Sequence, residues 1–206
     1  MRRMKPQGRI LFAFTAVILC ESSAQAETDY AGIARQALGE VIRPGYSALA
    51  ETTGSLSTKV QDLCQQPSSA ALKDAKDAFA ASVGAWSKVE ILRFGPVTQN
   101  QRYERLFYWP DPKGLGLKQV REALANEDET VTAQTLAPKS VALQGLPALE
   151  ELLYGDGADT LAKGGNAAFR CRFAASIAAN VDNIAKEVVE GWSDGAPFTK
   201  VPVYHA

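Results

Sequence analysis

Apolar residues recur along this chain at steps of three and four and almost nowhere alternate with period two, the signature of helices rather than strands. From Tyr30 the stripe passes through Ile33, Ala37, Val41, Tyr46, Leu49, Leu56, Val60 and Leu63, one face of a helix. Thr28 and Asp29 are both good N-cap residues, so the helix is expected to start there and to stop before Pro67. Arg43-Pro44-Gly45 interrupts it, which predicts a kink or break, because proline removes a backbone donor and crowds the preceding turn. Ser68 and Ser69 cap a second helix with the stripe Leu72, Ala75, Phe79, Val83 and Trp86. The same step carried on reaches Glu90 and Arg93, an acid and a base on the face that should be buried, before Gly95-Pro96 ends the helix. A short helix fits Leu117 to Asn126. Pro138 to Tyr154 holds Gly145 and Pro147 and is expected to be bent or split, with Pro147 near a first turn. A last helix runs from about Asn166 to Trp192, its stripe formed by Phe169, Phe173, Ile177, Ile184, Val188 and Trp192, with Asn180 as the polar exception. The expectation is an all-α fold, a helical bundle of roughly four to five helices. Residues 94–116 form an irregular, aromatic-rich stretch containing Phe107-Tyr108-Trp109, the kind of long loop that is usually functional.

The N-terminus has a different grammar. Arg2, Arg3, Lys5 and Arg9 precede an apolar run from Ile10 to Cys20, and Ala24-Gln25-Ala26 comes next. The run is far short of the roughly 20 residues a spanning helix needs. Residues 1–26 therefore read as a secretory signal peptide, leaving a bundle over 27–192, a loose tail over 193–206 and no transmembrane span in the mature chain. A lipid anchor on Cys20 ranks second, because Leu19 stands where a small residue is usual. The location implied is the periplasm or cell envelope. The 1–26 segment holds four basic residues and one acid, so its removal shifts the formal net charge from −1 by three units to −4. That balance gives no footprint for nucleic acid. Cys64 and Cys171 remain, and two cysteines in an exported chain read as one disulfide. It would tie the end of the first helix to the start of the last and make the two antiparallel neighbours.

The single histidine, His205, lies next to the C-terminus. This removes His-Glu-x-x-His zinc sites, Ser-His-Asp and Cys-His nucleophile systems, Cys-x-x-Cys-His haem attachment and Glu-x-x-His di-iron centres. No haem is expected. A metal here would need carboxylates, tyrosines and water, which suits a hard cation such as iron or calcium. The candidate polar set is Glu90, Arg93, Arg105, Asp111 and Glu150, the last falling beside Leu146, Leu149 and Leu153. It has two readings. One is a structural ion-pair network of Glu90 or Glu150 with Arg93, pinning the loop. The other is a ligand or metal pocket roofed by Phe107-Tyr108-Trp109. On residue pattern alone the structural reading is favoured, since ion-pair networks also place charges inside.

Three stretches resemble the imelysin-like family, of the insulin-cleaving membrane protease and iron-regulated protein A type. They are Trp86-Ser-Lys-Val-Glu90-Ile-Leu-Arg93-Phe-Gly95-Pro96, Phe107-Tyr-Trp-Pro-Asp-Pro-Lys-Gly114 and Gln144-Gly-Leu-Pro-Ala-Leu-Glu150-Glu-Leu-Leu-Tyr-Gly155. The likeness covers roughly residues 29–192. It implies an exported or envelope-anchored bacterial protein and a fold of two packed helical bundles with a pocket between them, of which this chain resembles the N-terminal half. The family's metal motif is Gly-x-His-x-x-Glu; here the aligned stretch is Gly145-Leu146-Pro147-Ala148-Leu149-Glu150, and Pro147 offers no ligand atom. The function implied is non-enzymatic binding of a metal or small ligand, linked to iron acquisition. A structural or partner-binding bundle is the alternative, and a metallopeptidase ranks last. A one-bundle chain is expected to show an apolar face, and so to meet a second copy, a second helical domain or an envelope partner.

Overall fold

The computed structural model describes residues 28–164 and 167–200; the expected signal peptide, Cys20 and His205 lie outside them. Among the described residues the chain is helical, with no strand. Asp29 starts α1 (Tyr30–Ala37) by accepting a hydrogen bond from Gly32 N at 2.7 Å. The expected break is a widened π-turn over Leu38–Ile42, after which α2 (Arg43–Gln65) begins with Pro44 in its first turn. The wider turn gives the proline ring room against the carbonyl four residues back.

That turn also corrects part of the sequence reading. From Tyr46 onward the stripe is buried, but Tyr30, Ile33 and Val41 are 77%, 57% and 56% exposed. One extra residue in a turn rotates the helix before it by about 100° relative to the helix after it. The two halves of the stripe therefore no longer share a face, and α1 buries no residue.

Ser68 caps α3 (Ser69–Val89) by accepting from Ala71 N at 3.0 Å. The long helix α8 (Ala168–Gly191) completes the frame: α2 packs on α3 along one side and on α8 along the other. Cys64 and Cys171 are disulfide-bonded with Cα atoms 5.5 Å apart, so the end of α2 meets the start of α8 and the two run antiparallel. Tyr46, Leu49, Trp86, Phe173 and Ile177 fill the core.

Shorter elements close the rest. Gly95–Gln101 is a tight turn ending in left-handed Asn100 and Gln101, followed by α4 (Arg102–Leu106). A cis bond joins Trp109 to Pro110, and α5 spans Leu115–Asn126. The four-residue α6 (Ala133–Leu136) precedes α7 (Leu146–Tyr154), which lies against α8, α3 and α5. The segment expected as a loose tail stays largely exposed over its described part and touches the bundle at a few points. Arg43 Nε donates to Trp192 O at 2.7 Å, Arg43 pairs with Asp194 at 2.7 Å, and the Phe198 ring lies 6.1 Å from that of Trp192.

Candidate functional site

The acid-base cluster expected around Glu90 and Arg93 does not assemble. α3 stops at Val89, Glu90 caps it and is exposed, and the chain turns away through Leu92. Arg93 is also exposed, its guanidinium lying 4.5 Å over the Tyr103 ring. Among the described residues no ion pair involves Glu90, Arg93 or Glu150. The helical step was carried one turn beyond the helix. Gly95 comes next with φ +71, and a Cβ there would sit 2.4 Å from the Trp192 ring, so this corner admits only glycine.

Arg105 has neutral partners instead of an acid. From α4 it donates to Gln144 Oε1 and Asn180 Oδ1, each at 3.1 Å; Asn180 Nδ2 donates to Gln144 Oε1 at 3.0 Å, and Gln144 Nε2 to Leu136 O at 2.7 Å. Burial pulls the Arg105 pKa below its ordinary value; Glu187 pushes it up and Arg102 down. This network explains why Asn180 interrupts an apolar stripe. Gln144 opens one of the family-like stretches, but neither charge nor period marks it as a member of this network.

Asp111 and Glu150 do come together, on a cleft of about 360 Å³ between residues 108–111, α5 and α7. Two glycines let its walls approach. Gly145, at φ +90, passes so close beneath α4 that a Cβ would sit 2.5 Å from Arg105 O; one at Gly116 would sit 3.1 Å from Ala142 O. Leu146, Leu149, Leu152 and Leu153 of α7 turn into the core, which leaves Pro147, Glu150, Glu151 and Tyr154 along the cleft. Both Asp111 oxygens accept backbone hydrogen bonds at 2.8 Å, from Leu115 N and Gly116 N, holding the start of α5. Glu150 is exposed. Glu151, which sequence reading missed, has a side chain only 16% exposed and an Arg121 Nε at 3.0 Å. The aromatic triplet divides. Phe107 stacks on Trp86 at 6.1 Å, whereas Tyr108 and Trp109 line the cleft and Trp109 is 68% exposed. Tyr154 donates its hydroxyl to Lys76 O at 3.1 Å, and its pKa is raised, first by burial and then by the negative charges of Asp77 and Glu150.

These residues do not fit a metal centre held by this chain. Asp111 is engaged by two amides, Glu151 by Arg121, and Pro147 is inert. Among the described residues no three His, Cys, Asp or Glu side chains gather around one point. What the cleft offers is exposed aromatic surface beside a carboxylate, the mixture of apolar wall and few polar groups that holds small molecules.

Comparison with known proteins gives a consistent picture. A family model described as Imelysin (Peptidase_M75) matches residues 42–202. Iron-regulated protein A of Synechococcus elongatus is 27% identical over 123 residues, 59% of this chain and 31% of its own length. The crystal structure of an imelysin-like protein from Psychrobacter arcticum is 26% identical with a TM-score of 0.67, over 78% of this chain and 49% of that one. The chain thus spans about a third of the curated relative and about half of the solved one.

Proposed function

The chain belongs to the imelysin family, and on that premise we propose that it is an exported cell-envelope protein that binds a small ligand without catalysis, within a family linked to iron. The observation that carries this is the cleft of about 360 Å³ in which Tyr108, the exposed Trp109 and the free carboxylate of Glu150 converge. A volume of this size lies at the small end of ligand sites. The iron link rests on the name of the Synechococcus relative. Export rests on the pattern of residues 1–26. Among the described residues no helix is long and apolar enough to cross a membrane.

The test uses the mature chain, residues 27–206, purified without chelator or affinity histidines. Elemental mass spectrometry is expected to find no stoichiometric metal. A panel of small aromatic probes of positive, negative and zero charge is expected to yield at least one that binds in the cleft, with binding lost on Trp109→Ala or Glu150→Ala at unchanged melting temperature. Stoichiometric iron or calcium restores the metal reading. A fallen melting temperature for Glu150→Ala assigns that residue to structure. Chelator-sensitive cleavage of a denatured polypeptide establishes the peptidase reading.

A second reading, a partner-binding bundle, is favoured by a separate apolar groove of about 340 Å³. It is lined by Leu38, Ile42, Phe94, Trp192 and Phe198, beside the uncovered face of α1. A second copy, a second helical domain or an envelope partner would fill it. Light scattering over a range of protein concentration, repeated with Phe94→Ser, separates self-association from a monomer.

A further inference from the structure

We propose that the cleft selects an organic cation: a small apolar body carrying an ammonium or quaternary ammonium head. This rests on the reading of the cleft as a ligand site and names the ligand's class. Three carboxylates lie along the lining, Asp111, Glu150 and Glu151, and no Lys, Arg or His does. The Arg121 guanidinium on α5 is occupied by Glu151 at 3.0 Å. Glu150 has no ion-pair partner among the described residues and faces solvent. An anion entering here meets uncompensated negative charge; a cation meets a free counter-ion. The same field reaches Tyr154, whose phenol is harder to ionise through burial, then Asp77 and Glu150.

The apolar half of the lining decides between a bare ion and an organic one. Trp109 and Leu117 are 68% and 40% exposed, an aromatic and an aliphatic surface left open along the cleft. Aromatic faces attract weakly hydrated cations, tryptophan most strongly. A strongly hydrated inorganic cation has no such use for an indole, and the carboxylates do not converge to ligate it. The cleft's edge holds an example of the same attraction: Lys76 Nζ, outside the lining, lies 4.8 Å over the Tyr154 ring.

The experiment titrates the mature chain with phenyltrimethylammonium, benzenesulfonate and benzyl alcohol. It reads the indole N–H signal of Trp109, with the buried Trp86 and Trp192 as internal references. Phenyltrimethylammonium is expected to shift Trp109 and to bind more tightly than either other probe. Glu150→Gln is expected to weaken it by about three- to fivefold, and Trp109→Ala, followed through the N-methyl proton signal of the cation itself, by about tenfold. Glu90→Gln, an exposed acid outside the cleft, is expected to leave it unchanged. If benzenesulfonate or benzyl alcohol shifts Trp109 as strongly as the cation, or Glu150→Gln leaves the cation's affinity intact, the cation assignment falls while the ligand cleft stands. If no probe moves Trp109, both fall.

Discussion

Replacing Gln144 by methionine isolates the network that joins α4, α6 and α8. Methionine keeps the length of the side chain and removes every hydrogen bond. Gln144 is fully buried, and its loss strands Asn180 Nδ2, which donates to it at 3.0 Å, whereas Leu136 O keeps the bond it accepts from Lys139 N at 2.9 Å. A buried polar group left unpaired costs about 1–3 kcal/mol, so the stranded amide amounts to about 2 kcal/mol. Arg105 loses one bond as well but is half-buried and can turn to water. For a chain of this size each kcal/mol moves the melting temperature by about 2–4 °C, which predicts a fall of about 4–8 °C by circular dichroism with the disulfide intact. The companion is Gln144→Met with Asn180→Leu, which removes the stranded amide together with its partner. It should lose less than the sum of the two single changes by about 1 kcal/mol or more. A Gln144→Met protein within about 0.5 kcal/mol of the parent, or losses that simply add, refutes the argument that these groups depend on one another.

The same structure sets three further outcomes. Cys64→Ala with Cys171→Ala opens a span of 107 residues, worth about 4.7 kcal/mol on the chain-entropy account; calorimetry should show a fall on the order of 10–20 °C, and no measurable fall sinks it. Gly145→Ala should cost about 2–4 kcal/mol in urea unfolding, since it combines φ +90 with a 2.5 Å approach to Arg105 O, whereas Gly84→Ala, in α3 with open space around it, should gain up to about 1 kcal/mol; equal effects contradict the geometry. Burial, then the charge of Tyr103, raises the Tyr46 phenol above its ordinary 10.0. A raised pKa contributes stability that is complete below the ordinary value and is lost as pH climbs toward the folded one. Stability should therefore fall from about pH 10 upward, and Tyr46→Phe should flatten that fall.

Long amphipathic stretches were legible. The stripes of α2, α3 and α8, the Asp29 and Ser68 caps, and the Cys64–Cys171 bond all come out of spacing and residue type. α4 and α6 are too short to show a period. Pro44 announced a break, yet nothing in the pattern said that it would add a residue to a turn and uncover Tyr30 and Ile33. Glu90 and Arg93 were misplaced because periodicity does not say where a helix stops. In the cleft, Asp111 and Glu150 were visible as acids near aromatic residues. Glu151 was not, because adjacent acids look alike until α7 fixes which one meets Arg121. The role of Gln144 was invisible for a related reason: amides bonded to amides leave no charge pattern.

The antiparallel pairing of α2 with α8 also sets an order in time. Synthesis runs from the N-terminus at about 5–20 residues per second, so the 107 positions between the two cysteines take roughly 5–20 s to appear. Throughout that interval α2 and α3 can meet as a hairpin, but the side of α2 that α8 covers stays wet, and Cys64 has no Cys171 to oxidise with. The core closes only when α8 arrives. A chain built this way stays threadable until α8 has been made, the condition a polypeptide must meet if it is to be passed through a narrow channel before it folds.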